Sequence, residues 1–280
     1  MRFGGGGDRA NVEDRRGSGF GGAGVKLGVG GTLVLVILSL VFQQDLVSMV
    51  GGSAEDGAPL PPEEVERRRG AEAGLERVAV GSFNDAQQVW AGTVRAYRPA
   101  KLVLFWDAAR SGCGDAAAEM GPFYCPADER VYIDLGFYRE LATRFGAPGE
   151  FAQAYVIAHE VGHHLQHVLG IAGEVREGQA RSPQSRNELS VKLELQADCL
   201  AGVWGRSADG RGLLDPGEID EGLRAAAAVG DDRLAKGAGR RSNPETFTHG
   251  TAEQRAAWFR RGFDAGDAEA CDTFAERAAR

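Results

Sequence analysis

The 280-residue chain has no excess of positive charge: 32 lysines and arginines stand against 40 aspartates and glutamates, a net charge of −8. Nucleic-acid-binding chains are more often basic, so that class is set aside. Cysteine is scarce, and none of the four residues, Cys113, Cys125, Cys199 and Cys271, belongs to a CxxC pair. That weakens any zinc-knuckle or thioredoxin reading. No internal repeat is visible. Histidine is nearly as scarce, with five residues in all. What remains is ordinary globular composition, 43% hydrophobic, 26% charged and 8% aromatic, which excludes collagen-like, mucin-like and wholly disordered chains.

Charge is unevenly spread. Residues 1–26 carry Arg2, Arg9, Arg15, Arg16 and Lys26 against Asp8, Glu13 and Asp14, so the head is slightly basic and the body acidic. Leu27 to Gln44 is uncharged, and residues 33–42 read LVLVILSLVF. Eighteen uncharged residues are near the lower limit for a membrane-spanning helix. A buried core helix is the bland reading, but the run keeps only Ser39 as a polar residue. Basic residues before it and Asp45, Glu55 and Asp56 after it predict a cytoplasmic N-terminus and an exported body. A cleaved signal peptide ending near Gly52-Ser53-Ala54 is the rival, and Arg15-Arg16 is weak evidence for twin-arginine export. The expected organisation is a disordered cytoplasmic tail over 1–26, a transmembrane helix over 27–44, a linker over 45–80 and one domain over 81–280. The protein is then a single-pass protein of the cytoplasmic membrane with that domain outside the cytoplasm.

Ser82 reads as the cap of the domain's first helix, although a helix entering near Pro62 also fits. KLVLFW at 101–106 and RVYIDL at 130–135 read as strands. In an exported domain four cysteines suggest two disulfides. Cys113 and Cys125 flank a short loop and can close it, leaving Cys199 to pair with Cys271; four free thiols are the alternative.

The chemistry is concentrated in EFAQAYVIAHEVGHHLQHVLG, which holds His159, His163, His164 and His167. Pro148-Gly149 and Gly170 supply start and stop signals for a helix. His159 and His163 are four apart, one turn apart on one face, so both imidazoles reach a single tetrahedral ion. Glu160, beside the first of them, can accept a proton from a water there. This is the HExxH pattern, and its bland alternative is a polar helix face with satisfied histidines. Using His167 with His163 would leave Glu160 out of position, so His167 is read as an outer or surface residue. His164 points roughly 100° away from His163 and is expected to be packed or solvated.

Two helical histidines need a third ligand. The metzincin continuation is absent, because Gln166 and Leu169 occupy its glycine and histidine positions. A glutamate on a following helix is the other common source, and RNELSVKLELQADCLAGVW offers one, with Ser185 and Glu188 as a capping box. Glu194 and Asp198 are neighbours on one face. Glu194 can complete the ligand set, while Asp198 can accept the outer N–H of a ligand imidazole. Spacing alone leaves Glu188 as a competitor.

The segments NVEDRR at 11–16, GPFYCPADERVYIDLGFY at 121–138, AHEVGHHLQ at 158–166, LELQADCLAGVW at 193–204 and THGTAEQRAAWF at 248–259 closely resemble the putative neutral zinc metallopeptidase family of bacterial membrane-anchored proteins. The resemblance implies a zincin binding one Zn²⁺ through His159, His163 and Glu194, with Glu160 as the catalytic residue. ELQAD also looks like the ExxxD helix of thermolysin-like peptidases, which favours Glu194 over Glu188. The fold class expected is α+β: a mainly helical zincin-like domain with a small sheet, preceded by one transmembrane helix.

The function expected is zinc-dependent hydrolysis of peptide bonds in a peptide or protein substrate. His249 is the candidate donor to the developing oxyanion, with Tyr132 weaker, and the strand Arg130–Leu135 is the expected edge for an extended substrate. Two other classes stay open: an exported metal-binding or scaffold protein without turnover, and a metal-dependent hydrolase of a non-peptide amide or ester.

Overall fold

Leu102, Val103, Leu104 and Phe105 are all buried, so the KLVLF strand is covered on both faces, as strands of parallel sheets are. In the computed structural model, which describes residues 1–3, 8–18, 60–237 and 242–275, this strand lies inside a four-stranded sheet. Its members are β1 (Val12–Asp14), β2 (Lys101–Phe105), β6 (Arg130–Asp134) and β5 (Phe123–Cys125), in that order across the sheet. β1 and β2 are parallel, β2 and β6 are parallel, and β5 runs antiparallel to β6. A hairpin of β3 (Ala108–Ser111) and β4 (Gly114–Ala117) stands apart.

The sheet alternates cleanly between two cores. Leu102, Leu104, Val131 and Ile133 face the main core, while Val103, Phe105 and Tyr132 form a smaller one with Ala109 and Cys125. The helices are α1 (Pro62–Thr93), α2 (Gly136–Thr143), α3 (Glu150–Val168), α4 (Ile171–Arg181), α5 (Arg186–Gly210), α6 (Glu218–Ala228), α7 (Asp231–Gly237) and α8 (Ala252–Ala265). α3 is central. Its apolar side, Phe151, Ala154, Ala158, Val161 and Leu165, is buried as the spacing predicted. Gly149 is its N-cap, and Gly170 beyond its end adopts φ +82°, the left-handed turn that glycine takes without strain. Both expected disulfides form, Cys113–Cys125 and Cys199–Cys271.

Three boundary expectations need correction. The domain does not begin at Ser82: α1 runs unbroken from Pro62, and the Ser82 hydroxyl, fully buried, donates to the Val78 carbonyl one turn back. Ser185 precedes α5 but makes no side-chain cap. Most important, the first residues are not a free tail. Val12–Asp14 pair with Leu102–Leu104, and the Met1 ammonium sits between the carboxylates of Glu150 and Glu218 at 3.0 and 2.7 Å.

Arg16 explains why the tail docks. Its guanidinium is buried, grips Asp14 at 2.8 and 3.0 Å, and also reaches Glu72 and Glu76 on α1. Glu72 in turn accepts the Trp106 indole N–H at 2.9 Å. The pairing places residues 12–14 beside β2 in the domain's sheet. The span over 27–44 lies outside the described residues; among those described, no helix is long and apolar enough to cross a membrane.

This cluster makes a stability prediction. Burial alone would raise the carboxyl pKa values of Asp14 and Glu76, but Arg16 outweighs it and holds both below their ordinary 3.8 and 4.5. Lowered folded values mean stabilisation that is complete above those ordinary values and lost as pH falls through the depressed ones. Arg16→Ala should cost about 3–5 kcal/mol at neutral pH, as for one partner removed from a buried ion cluster. Urea unfolding should show the gap from wild type narrowing below about pH 4.

Candidate metal centre

α3 and α5 cross at Gly162, where a Cβ would stand 3.2 Å from the backbone of Ala197. That close approach brings Glu194 over the histidine face. His159 Nε2 lies 3.2 Å from Glu194 Oε2, and His163 Nε2 lies 3.4 Å from Glu194 Oε1. All three residues offer a ligand atom within 4.8 Å of the others. Tetrahedral zinc with bonds of roughly 2.0–2.1 Å sets its ligand atoms about 3.3 Å apart, so donor set and spacing both fit that ion.

The outer nitrogens are held as a metal site requires. His159 Nδ1 donates to Asp198 at 2.9 Å, and His163 Nδ1 donates to the Gln166 amide oxygen at 2.9 Å, which turns both Nε2 atoms toward Glu194. Gln166 is itself fixed by the Leu193 carbonyl and by Gln196, which reaches the Cys271 carbonyl. Asp198 is fully buried and accepts from His159, the Tyr155 hydroxyl and both Nε and Nη2 of Arg255, at 2.8 and 3.0 Å from the last. Burial opposes protonation of His159, yet the Asp198 and Glu194 carboxylates push its pKa up to about 10. Burial likewise works against an ionised Glu194, and the two imidazoles overcome it, holding that carboxyl well below the usual range. Metal uptake must therefore release protons.

Arg255 arrives from α8, whose start is a capping box of Thr251 and Gln254. α8 lies backbone against backbone on α5. A Cβ at Gly262 would fall 1.9 Å from the Cys199 carbonyl oxygen, and one at Gly202 2.1 Å from that of Phe259. Only glycine permits this contact, and it seats the guanidinium on Asp198. Arg255, Tyr155, Gln166 and Gln196 were not assigned to the site by sequence reasoning. The separation of 57 positions from Asp198 to Arg255 obeys no spacing rule.

A cavity of about 530 Å³ opens over the centre. Glu160 lines it, buried and with its pKa raised by that burial, while the neighbouring imidazoles and the Tyr124 backbone N–H pull the other way. His249 also lines it. Its Nδ1 lies 3.1 Å from Asp231, a residue sequence reasoning missed, whose carboxylate also accepts the backbone N–H groups of Thr248, His249 and Gly250. His249 is half-exposed; its partial desolvation would lower its pKa, but the Asp231 and Glu194 carboxylates raise it. Pro122, Phe123, Val156, Val175 and Leu193 give the cavity an apolar wall.

Other expectations fall away. Tyr132 is buried in the smaller core with its hydroxyl on Asp128 and does not line the cavity. Arg130–Asp134 is not an edge, because β6 is paired on both sides; among the described residues β1 and β5 are the sheet's edges, and β5 borders the cavity. Glu188, at the exposed start of α5, lies 3.4 Å from Lys192 and outside the donor set. His167 lines the cavity beside Glu129, also outside that set.

The chain matches a family model described as "Putative neutral zinc metallopeptidase" over residues 1–274. It is 44% identical over 288 aligned positions to the uncharacterized protein YpfJ of Escherichia coli strain K12, covering 98% of this chain and 99% of that one. It is 42% identical over 220 positions to an uncharacterized protein of Mycobacterium tuberculosis, covering 74% of each. No solved structure matches. Zinc is the metal this likeness implies, the donor set fits it, and the chain belongs to the putative neutral zinc metallopeptidase family.

Proposed function

We propose that the chain is a zinc-dependent endopeptidase with His159, His163 and Glu194 as ligands and Glu160 as general base. The observation that carries this reading is the Glu160 carboxyl: buried, raised in pKa and facing the cavity beside the three donors. When bound, zinc supplies an acidified water and polarises the scissile carbonyl. Glu160 accepts the proton of the attacking water and passes it to the leaving amine; a carboxyl with a raised pKa suits both transfers. His249, whose pKa Asp231 raises, lines the cavity and can donate toward the negative charge that develops on the carbonyl oxygen. An extended peptide can pair along β5, with its apolar side chains on the wall of Phe123, Val156 and Leu193.

Both disulfides support a domain working in an oxidising compartment outside the cytoplasm. Residues 8–18 lie there with it, attached to the membrane through the apolar segment 27–44.

The test is incubation of the full chain with a diverse peptide library, with chelator, and with chelator followed by zinc. Cleavage at peptide bonds that chelator abolishes and zinc restores is the expected result. Zinc bound at one equivalent with no cleavage would make the protein a metal-binding scaffold, and turnover confined to non-peptide amides or esters would reassign the substrate.

A further inference from the structure

His164 follows the second ligand histidine, is fully buried and belongs to no donor set. Its two nitrogens have unambiguous roles. Nε2 lies 2.7 Å from the Arg98 carbonyl, which can only accept, so Nε2 carries the hydrogen. The neutral ring then presents Nδ1 as an acceptor, and the Tyr124 hydroxyl donates to it at 3.0 Å. The Tyr97 ring packs edge-on against the imidazole at 5.5 Å, which holds its plane.

Tyr124 is the middle residue of β5, the sheet edge that borders the cavity. The strand is three residues long, lies between Pro122 and Pro126, and pairs with β6 through three residues. The backbone N–H of the same Tyr124 faces Glu160. Glu160 and His164 are four apart on α3, hence one turn apart on one face. The edge strand is therefore tied to the helix by the Tyr124 hydroxyl at His164, one turn from Glu160, and Tyr124 and Glu160 line the same cavity.

We infer that His164 is a positioning residue: by accepting the Tyr124 hydroxyl it holds the β5 edge in register with Glu160, so that base and substrate edge move as one unit. The inference rests on the reading of Glu160 as base and β5 as the substrate edge. It gives a role to the last histidine of HEVGHH, which metal binding does not use.

The test is a double-mutant cycle in the zinc-loaded full chain. Tyr124→Phe keeps the ring and removes one hydroxyl; His164→Asn keeps an acceptor near Nδ1, and His164→Leu removes it. Tyr124→Phe and His164→Leu should each retain one equivalent of zinc and speed amide exchange in residues 121–126. Each should lower kcat/KM about fivefold, chiefly through KM, as expected for one lost hydrogen bond. The double variant should be no worse than either single one, and His164→Asn should recover part of the loss. Additive losses in the double variant, or a Tyr124→Phe variant with wild-type exchange, would overturn the assignment. Should His164→Leu fail to fold, Tyr124→Phe still decides. The exchange measurement needs no substrate, so it reads the tether even in a protein that hydrolyses nothing, and the two failures stay distinct.

Discussion

Glu160→Gln is expected to bind a full equivalent of zinc and to lose kcat by roughly 10²–10⁴-fold, the range spanned by general acid–base catalysis. The amide keeps the shape and volume of the carboxyl but cannot take a proton. Glu160 makes no side-chain contact that holds a metal ligand: His159 is oriented by Asp198 and His163 by Gln166. Metal content after dialysis and single-substrate kinetics on a peptide from the library read the two quantities separately. Wild-type turnover in the variant would remove Glu160 from the mechanism and leave the zinc site without a base.

The second large effect separates the acidic residues of α5. Glu194→Ala removes the carboxylate whose two oxygens face His159 and His163 and should abolish retention of zinc at ordinary dialysis concentrations. Asp198 lies outside the donor set, and Asp198→Asn should retain zinc with affinity weakened about 10–100-fold. Asp198→Ala carries a further cost. It leaves the Arg255 guanidinium buried without its bidentate partner, a loss of about 3–5 kcal/mol. Thermal unfolding beside metal content distinguishes the alanine from the asparagine variant. Glu188→Ala should leave metal content unchanged, since it lies at the exposed start of α5, outside the donor set. Full zinc in Glu194→Ala with none in Asp198→Asn would make the aspartate the third ligand.

Much of this protein is local, and what is local is legible. A helix repeats every 3.6 residues, so His159, Glu160 and His163 must share a neighbourhood wherever α3 lies. The same rule joins Glu194 to Asp198, and the Thr251–Gln254 capping box needs only three residues of spacing. Alternation along Val131, Tyr132 and Ile133 is equally local, and so are the glycine stops. Tertiary structure decided everything that depends on which surfaces meet. Arg255 reaches Asp198 because Gly202 and Gly262 let two helices touch backbone to backbone, a fit of shapes with no sequence period. Asp231 finds His249 through a loop, and β5 rather than β6 is an edge because strand order is not chain order. The tail carries the clearest case: glycine and charge make residues 1–18 read as disordered, yet Arg16 is held by carboxylates 56 and 60 residues away. Composition measures what a segment can bury alone, and this one is ordered by what the rest of the fold offers it.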